Sequence, residues 1–259
     1  MLELTNPEVS YMVGLFQTDG SHYGSTAAKG RLTIELSDRD GKLLWELQRH
    51  LPCYSSVTTR TRDTNFKKAH VSRVLSVCAQ EVRTKFEAFG VPVGKKSNII
   101  QAPSQQFSRP DYLRGIIDGD GSIGFTAKGY PFVSIVTASK LLADHICTEI
   151  ESICGVRRTA RRNQRDSVFN IMVANEPAAA LATWCYPTGC LSIRRKYLAA
   201  RDVGSWIAPT TRFGGTSKAW TAEEDAELPF LSVARAATLF GRTEQSVKMR
   251  RWRLGLSAA

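Results

Sequence analysis

The sequence predicts a mixed α+β protein built from two pseudo-symmetric halves of one order, αββαββα, with a small three-helix module after them. Three observations lead there. The phrase "YMVGLFQTDGSHYG" (Tyr11–Gly24) returns as "YLRGIIDGDGSIGF" (Tyr112–Phe125), so that Tyr11/Tyr112, Gly14/Gly115, Asp19/Asp120, Gly20/Gly121 and Ser21/Ser122 share one offset of 101 residues. Each copy ends a helix-like stretch and opens a strand-like one. A period near 100 is too long for a solenoid repeat and fits a duplicated domain.

The elements follow in order. Residues 6–18 read as a helix, with Asn6 as N-cap, Pro7 at the first position and Gly20 past the end. Strand-like runs follow at His22–Ala28 and Arg31–Ser37, then a helix at Gly41–Leu51 with an apolar face of Leu43, Leu44, Leu47 and Leu51. Strands Ser56–Thr64 and His70–Cys78 and a helix Gln80–Phe89, stopped by Gly90 and Pro92, complete the first half, residues 1–96. The polar, proline-bearing residues 97–110 form a linker. The second half, 111–203, repeats the order. It has a helix Asp111–Gly119, strands Ser122–Ala127 and Phe132–Thr137, and a helix Lys140–Ile153. Strands Val156–Gln164 and Val168–Ala174, a helix Pro177–Tyr186 and an added helix Ser192–Asp202 follow. Residues 204–218 have the composition of a tether, and 219–259 are long enough only for a compact helical unit.

Bulk composition narrows the partners. With 42% hydrophobic residues the 259-residue chain can build cores, and its net charge of +11 points to a polyanion, nucleic acid before membrane. No apolar run reaches membrane-spanning length. Six cysteines without a C-x-x-C pair and four scattered histidines argue against structural zinc and a disulfide framework. The N-terminus lacks a secretory pattern, so a cytoplasmic, nucleoid-associated protein is expected.

The repeated phrase carries chemistry. Gly14 with Thr18, and Gly115 with Gly119, place small residues on one helix face, which lets two helix backbones approach. Met12, Leu15 and Phe16, and their counterparts Leu113, Ile116 and Ile117, are then left for the two cores. Paired side by side, the helices would bring Asp19 and Asp120 together at their C-terminal ends. There the helix dipoles add negative potential, and divalent cations bound by oxygen ligands would relieve it. Metal pairs roughly 4 Å apart hydrolyse phosphodiesters. A lone Asp-Gly reads as a hairpin turn, but two that each close a similar helix do not. A calcium loop in "DGDGSI" fails on spacing, because its slots fall on Ile116 and Ala127.

"MVGLFQTDG" and "LRGIIDGDG" resemble the two motifs of a single-chain LAGLIDADG homing endonuclease, over about Asn6 to Asp202. Val13 and Arg114 replace the signature alanine, and Gln17 replaces the sixth-position aspartate that Asp118 keeps. The resemblance implies a saddle of two four-stranded antiparallel sheets whose concave face lies in the DNA major groove. It implies metal binding by Asp19 and Asp120, with Thr18 and Gly119 counted in the metal site. It also implies a basic residue beside each acid, Lys96 and Lys196, with Lys95 and Arg195 as rivals. The cofactor would be Mg²⁺, with Ca²⁺ supporting binding without cleavage. The partner would be a double-stranded target cut to leave 3′ overhangs by a monomer acting as a pseudo-dimer.

Basic runs supply candidate DNA contacts. "TTRTRDTNFKK" carries Arg60, Arg62, Lys67 and Lys68, and "VRRTARRNQRD" carries Arg157, Arg158, Arg161, Arg162, Gln164 and Arg165. Arg31, Arg73 and Lys128 join them. Arginine reads guanine edges bidentately and also holds phosphates, and strand alternation turns every second side chain toward DNA.

The tail, Trp220–Leu256, resembles a Myb/SANT-like helix-turn-helix module. Thr221 and Glu224 form a capping box. Val233, Ala236, Ala237 and Leu239 make an apolar helix, Gly241 a turn, and Thr243 caps a third helix. Val247 and Trp252 are available there for the core, and Gln245, Lys248, Arg250, Arg251 and Arg253 for DNA. Pro229 shortens the first helix. The expected function is a site-specific endonuclease. The alternative is a non-cleaving DNA- or RNA-binding regulator or intron maturase on the same scaffold, against which the retention of both acids speaks.

Overall fold

A computed structural model describes residues 2–24, 29–63, 68–209 and 220–256. The chain divides into two compact units, Met1–Ala208 and Pro209–Ala259. Among the described residues no helix is long and apolar enough to cross a membrane.

In the first unit, helix α1 (Pro7–Thr18) begins where Asn6 accepts from the amides of Glu8 (2.9 Å) and Val9 (3.3 Å). Strands β1 (Gly20–Tyr23) and β2 (Arg31–Ser37), helix α2 (Lys42–Arg49), strands β3 (Ser55–Arg62) and β4 (His70–Val77) and helix α3 (Gln80–Ala88) follow. The four strands form an antiparallel sheet of order β1-β2-β4-β3. Leu32, Ile34, Leu36, Leu75 and Val77 are buried on one face, in one core with Leu43, Leu44 and Leu47 of α2. Strand β1 is shorter than expected, and residues 25–28 and Thr64 of the expected strands lie outside the described residues.

The second half repeats this with α4 (Arg109–Asp120), β5 (Gly121–Phe125), β6 (Pro131–Thr137), α5 (Lys140–Cys154), β7 (Phe169–Ala174), α6 (Glu176–Cys185) and α7 (Arg194–Gly204). Here the sheet has three strands, β5-β6-β7, not the four expected. The run Val156–Gln164 makes only one isolated bridge, Arg162 to Phe169. Its arginines stay exposed, and only Val156 and Ala160 pack against the core, too little burial to hold a strand in register. One hydrophobic core runs through both halves and takes in Met12, Leu15, Phe16, Leu113, Ile116 and Ile117.

The second unit contains α8 (Ala222–Glu227), α9 (Val233–Leu239) and α10 (Glu244–Arg253) around Leu228, Ala236, Ala237 and Val247. The Thr221–Glu224 capping box is present. Pro229 lies in a 3₁₀ turn, Leu228–Phe230, after the short α8. Trp252, expected in this core, is instead 73% exposed, and Trp220 packs there under Arg242, whose guanidinium lies 4.0 Å above its ring.

Candidate active site and nucleic-acid face

Helices α1 and α4 cross in near backbone contact. A Cβ at Gly14 would stand 2.3 Å from the Tyr112 carbonyl, one at Gly115 2.3 Å from the Tyr11 carbonyl, and one at Gly119 1.9 Å from Thr18 Oγ1. Only glycine permits this approach. It draws the two helix C-termini together. Asp19 caps α1, its amide donating to Leu15 O at 3.0 Å, and Asp120 is the last residue of α4.

Both carboxylates are open to solvent on one side and backed by protein on the other. Desolvation lifts Asp19, the charge of Asp120 lifts it further, and the result is a pKa of about 6, with Lys196, Lys96 and Arg195 pulling the other way. Desolvation also raises Asp120, against Lys96 and Lys196. Such a pair is frustrated without a cation. Among the described residues no cluster of three or more His, Cys, Asp or Glu side chains could hold a metal. The two carboxylates nonetheless fit Mg²⁺, a hard ion that keeps several waters and takes one or two carboxylates plus phosphate oxygens.

The two lysines sit beneath these ends. Lys96 donates to Gln17 O (2.6 Å) and Thr18 O (2.8 Å). Lys196 donates to Ile117 O (2.7 Å), Asp118 O (2.6 Å) and Gly121 O (2.9 Å), with Gly119 O at 3.5 Å. Lys96 satisfies two orphaned carbonyls at the end of α1; Lys196 satisfies that of Asp118, adds a donor to Ile117 O, which also accepts from the Gly121 amide, and reaches Gly121 O of β5. Both offset the helix dipoles. Burial lowers the pKa of both, while the neighbouring aspartates raise it. An ammonium has three N–H groups. Among the described residues Lys196 meets three acceptors within 2.9 Å and Lys96 two, which leaves Lys96 one N–H without an acceptor there. Of the rivals, Lys95 is exposed and Arg195 pairs with Asp40 at 3.1 Å.

The sixth-position residues do not join the carboxylate pair. Asp118 is 1% exposed and accepts from Tyr11 Oη (2.7 Å), Tyr186 Oη (2.8 Å) and the Ile193 amide (2.7 Å). Gln17 accepts from Tyr112 Oη (2.6 Å) and donates to Gly90 O (2.8 Å) and Gln101 O (2.9 Å). The repeated tyrosine of each helix thus grips the other helix. The paired recurrence of Tyr11 and Tyr112 was the only sequence signal for this cross-link. Arg114 is buried too: it donates to Leu191 O and Cys185 O, both at 2.7 Å, and pairs with Asp111.

The basic residues divide by face. In the first sheet the side without helices carries Arg31 and Thr33 on β2, Arg60 and Arg62 on β3 and Ser72 on β4. Arg73 points the other way. It lies 5.0 Å from the Trp45 ring centroid and 2.6 Å from Asp38, so its expected DNA contact is corrected by strand alternation. Lys68 is exposed beside the segment whose Lys67 lies outside the described residues. Arg157, Arg158, Arg161, Arg162, Gln164 and Arg165 are exposed on the irregular stretch before β7, with Arg162 over Phe169 and Arg165 paired to Asp166; Lys128 is exposed in the β5–β6 turn. On α10, Gln245, Lys248 and Arg253 are exposed and Arg250 pairs with Asp225. Arg251 is corrected: it is 5% exposed and donates inward to Leu228 O (2.8 Å) and Leu231 O (2.9 Å).

By sequence, neither a family model nor a curated protein matches the chain. Solved structures do. The homing endonuclease I-WcaI bound to its DNA recognition sequence aligns with a TM-score of 0.55 at 10% identity, covering 76% of this chain and 88% of that one. Mesophilic variants of the homing endonuclease I-DmoI align at 0.53 and 13% identity, over 77% of this chain and 100% of theirs. The LAGLIDADG homing endonuclease I-GzeII in complex with its DNA target aligns at 0.51 and 12% identity, over 77% and 89%. The fold is that of the LAGLIDADG homing endonucleases. In this chain the fold packs helices α1 and α4 against each other and carries two antiparallel sheets.

Proposed function

We propose that the chain is a site-specific, Mg²⁺-dependent endonuclease that cuts both strands of a DNA duplex to leave 3′ overhangs, as a monomer in which two halves do the work of a dimer. The observation that carries this reading is the meeting of Asp19 and Asp120 at the ends of two helices crossed at Gly14 and Gly115, with Lys96 and Lys196 beneath them. Asp19 and Asp120 would hold the ions, with the Thr18 and Gly119 carbonyls alongside. When bound, a divalent ion supplies a Lewis acid and a source of hydroxide for the phosphodiester. The chain's own groups do the rest. The free N–H of Lys96 is available to a phosphate oxygen, while fully engaged Lys196 acts through its field. Arg31, Arg60 and Arg62 of the first sheet and the arginines of 157–165 hold and read the duplex.

In this reading residues 1–96 and 111–203 are the two halves joined by 97–110. The tether 204–218, largely outside the described residues, carries 219–259 as a helix-turn-helix module that uses Gln245, Lys248 and Arg253, raises the effective DNA concentration and extends the site. A cytoplasmic, nucleoid-associated protein encoded by a mobile element fits this activity. One observation favours the alternative, a non-cleaving regulator or maturase: full engagement of Lys196 by backbone carbonyls leaves that lysine no N–H for a phosphate.

A cleavage selection on a randomised duplex library with Mg²⁺, and with Ca²⁺ as the binding-only control, separates the two. The proposal expects recurrent cut sites with Mg²⁺ alone. It also expects Asp19→Asn or Asp120→Asn to bind the selected site and leave it uncut. Full cutting by either variant overturns the assignment of the acids, and binding without cutting by the parent chain establishes the alternative.

A further inference from the structure

Among the described strand residues on the helix-free face of the first sheet, one acid stands among the bases. Glu35 on β2 reaches Arg62 at 3.0 Å and Arg60 at 3.3 Å, both on β3, across the intervening strand β4. Ser72 of β4, 1% exposed beneath this cluster, donates to Glu35 Oε1 at 2.6 Å and fixes the carboxylate. The guanidinium side chains remain 55% and 47% exposed, against 24% for Glu35, so the arginines project outward and the acid lies behind them.

Resting on the DNA-binding reading above, we propose that Glu35 is the specificity-determining positioning residue of this face. A carboxylate on a polyanion-binding surface repels phosphates and weakens sequence-independent binding. It also holds two long, rotamer-rich side chains in one place before the duplex arrives, which lowers the entropic cost of using them. Each guanidinium has five N–H groups and meets Glu35 through one nitrogen, with its side chain about half exposed, and a held guanidinium fork matches the O6/N7 edge of guanine better than a mobile one. The acid thus penalises backbone contact and favours base-edge contact, which is discrimination by repulsion as well as attraction. The ligand chemistry is a guanine edge in the major groove opposite β3.

Glu35→Gln keeps the shape and the Ser72 hydrogen bond and removes the charge. Full-length parent and variant are each put through binding selection on a randomised duplex library in Ca²⁺, and random-sequence duplex is then titrated across a salt series. The parent should enrich guanine at one or two neighbouring positions. The variant should lose about tenfold of that discrimination, the worth of one bidentate base contact. Its log K against log[salt] slope on random duplex should steepen by about 1 to 2, as freed arginines turn to phosphates. Adding Arg60→Gln and Arg62→Gln should abolish both effects of Glu35→Gln. Glu87→Gln, which removes an exposed acid on α3, should reproduce neither. Unchanged discrimination and slope in a Glu35→Gln chain that still selects a site overturn the inference alone. A parent chain that selects no duplex overturns the DNA-binding reading on which it rests.

Discussion

The outer face of the first sheet carries Arg31, Arg60 and Arg62 around Glu35, whereas the outer face of the second carries Phe132, Ser134, Val136, Asn170 and Met172 and no cation on its strands. The second half instead concentrates its arginines on the irregular stretch 157–165. The helix ends differ in the same way. Asp118 gathers three donors in a sealed pocket, while Gln17 ties its helix to Gly90 and Gln101. Lys196 is saturated, and Lys96 is not. A duplicated scaffold therefore keeps its crossing and its acids symmetric while packing and the placement of cations diverge. Backbone contact at Gly14 and Gly115 tolerates no variation; a solvent-facing strand position tolerates a great deal.

The largest expected contrast lies at the sixth position. Asp118→Ala strands two buried hydroxyls and a buried amide and should cost about 4 kcal/mol of stability. Gln17→Ala, with one donor and two carbonyls released, should cost about half of that. Urea unfolding midpoints check the ratio, and equal costs would break the asymmetry. Lys196→Met should come next, at about 2 to 3 kcal/mol, because Asp118 O and Gly121 O lose this donor and Ile117 O is left with the Gly121 amide alone, against about 1 to 2 for Lys96→Met. Lys96→Met should in turn lose more cleavage per unit of lost stability, as measured by single-turnover assays on the folded variants. Equal catalytic losses would show that the free N–H of Lys96 is not used.

Acidification tests the carboxylates. The pKa of Asp19 is raised to about 6, so its ionised form disfavours the folded state, and that penalty is present at neutral pH. It is relieved as pH falls from about 6 toward the ordinary carboxylate value near 3.8. In the same range the metal-free Asp19 takes up a proton, which competes with Mg²⁺, so the Mg²⁺ concentration needed for cleavage should rise as pH drops through about 6. Asp19→Asn should therefore stabilise the metal-free chain at pH 7 by about 1 kcal/mol, a figure kept small by solvent screening at this open site. Thermal melts at pH 7 and pH 5 read both signs, and a destabilised Asp19→Asn chain would contradict the frustrated pair. The smallest effects belong to the surfaces. Arg31→Gln and Arg158→Gln should each reduce the salt slope of binding by about 1, which shows whether sheet and irregular stretch share the DNA equally.

Much of this was legible beforehand. The offset of 101 residues located both helices, both glycines at the crossing and both acids, because a repeated motif marks a repeated steric demand. The apolar face Leu43, Leu44 and Leu47 of α2 was legible in the same way, from helical spacing. What escaped were features set by partners distant in sequence. Arg73 looks like any other cation until β4 pairs with β2 and turns it toward Trp45. Arg251 looks like a DNA ligand until the carbonyls of Leu228 and Leu231 capture it. The missing strand at Val156–Gln164 reads as a strand by composition, but too few of its side chains reach the core.

The sequence by itself determined the duplication, the helix–helix crossing and the two acids, since each depends on residue type at local spacing: glycine where backbones touch, carboxylate where a helix ends. Only the tertiary structure decided which cations face outward, that Lys96 and Lys196 and not their neighbours Lys95 and Arg195 bind the helix-end carbonyls, and that Glu35 holds Arg60 and Arg62. Those outcomes depend on strand register and on contacts between residues far apart in the chain, and the interaction energy of a charge is set by what folding places beside it.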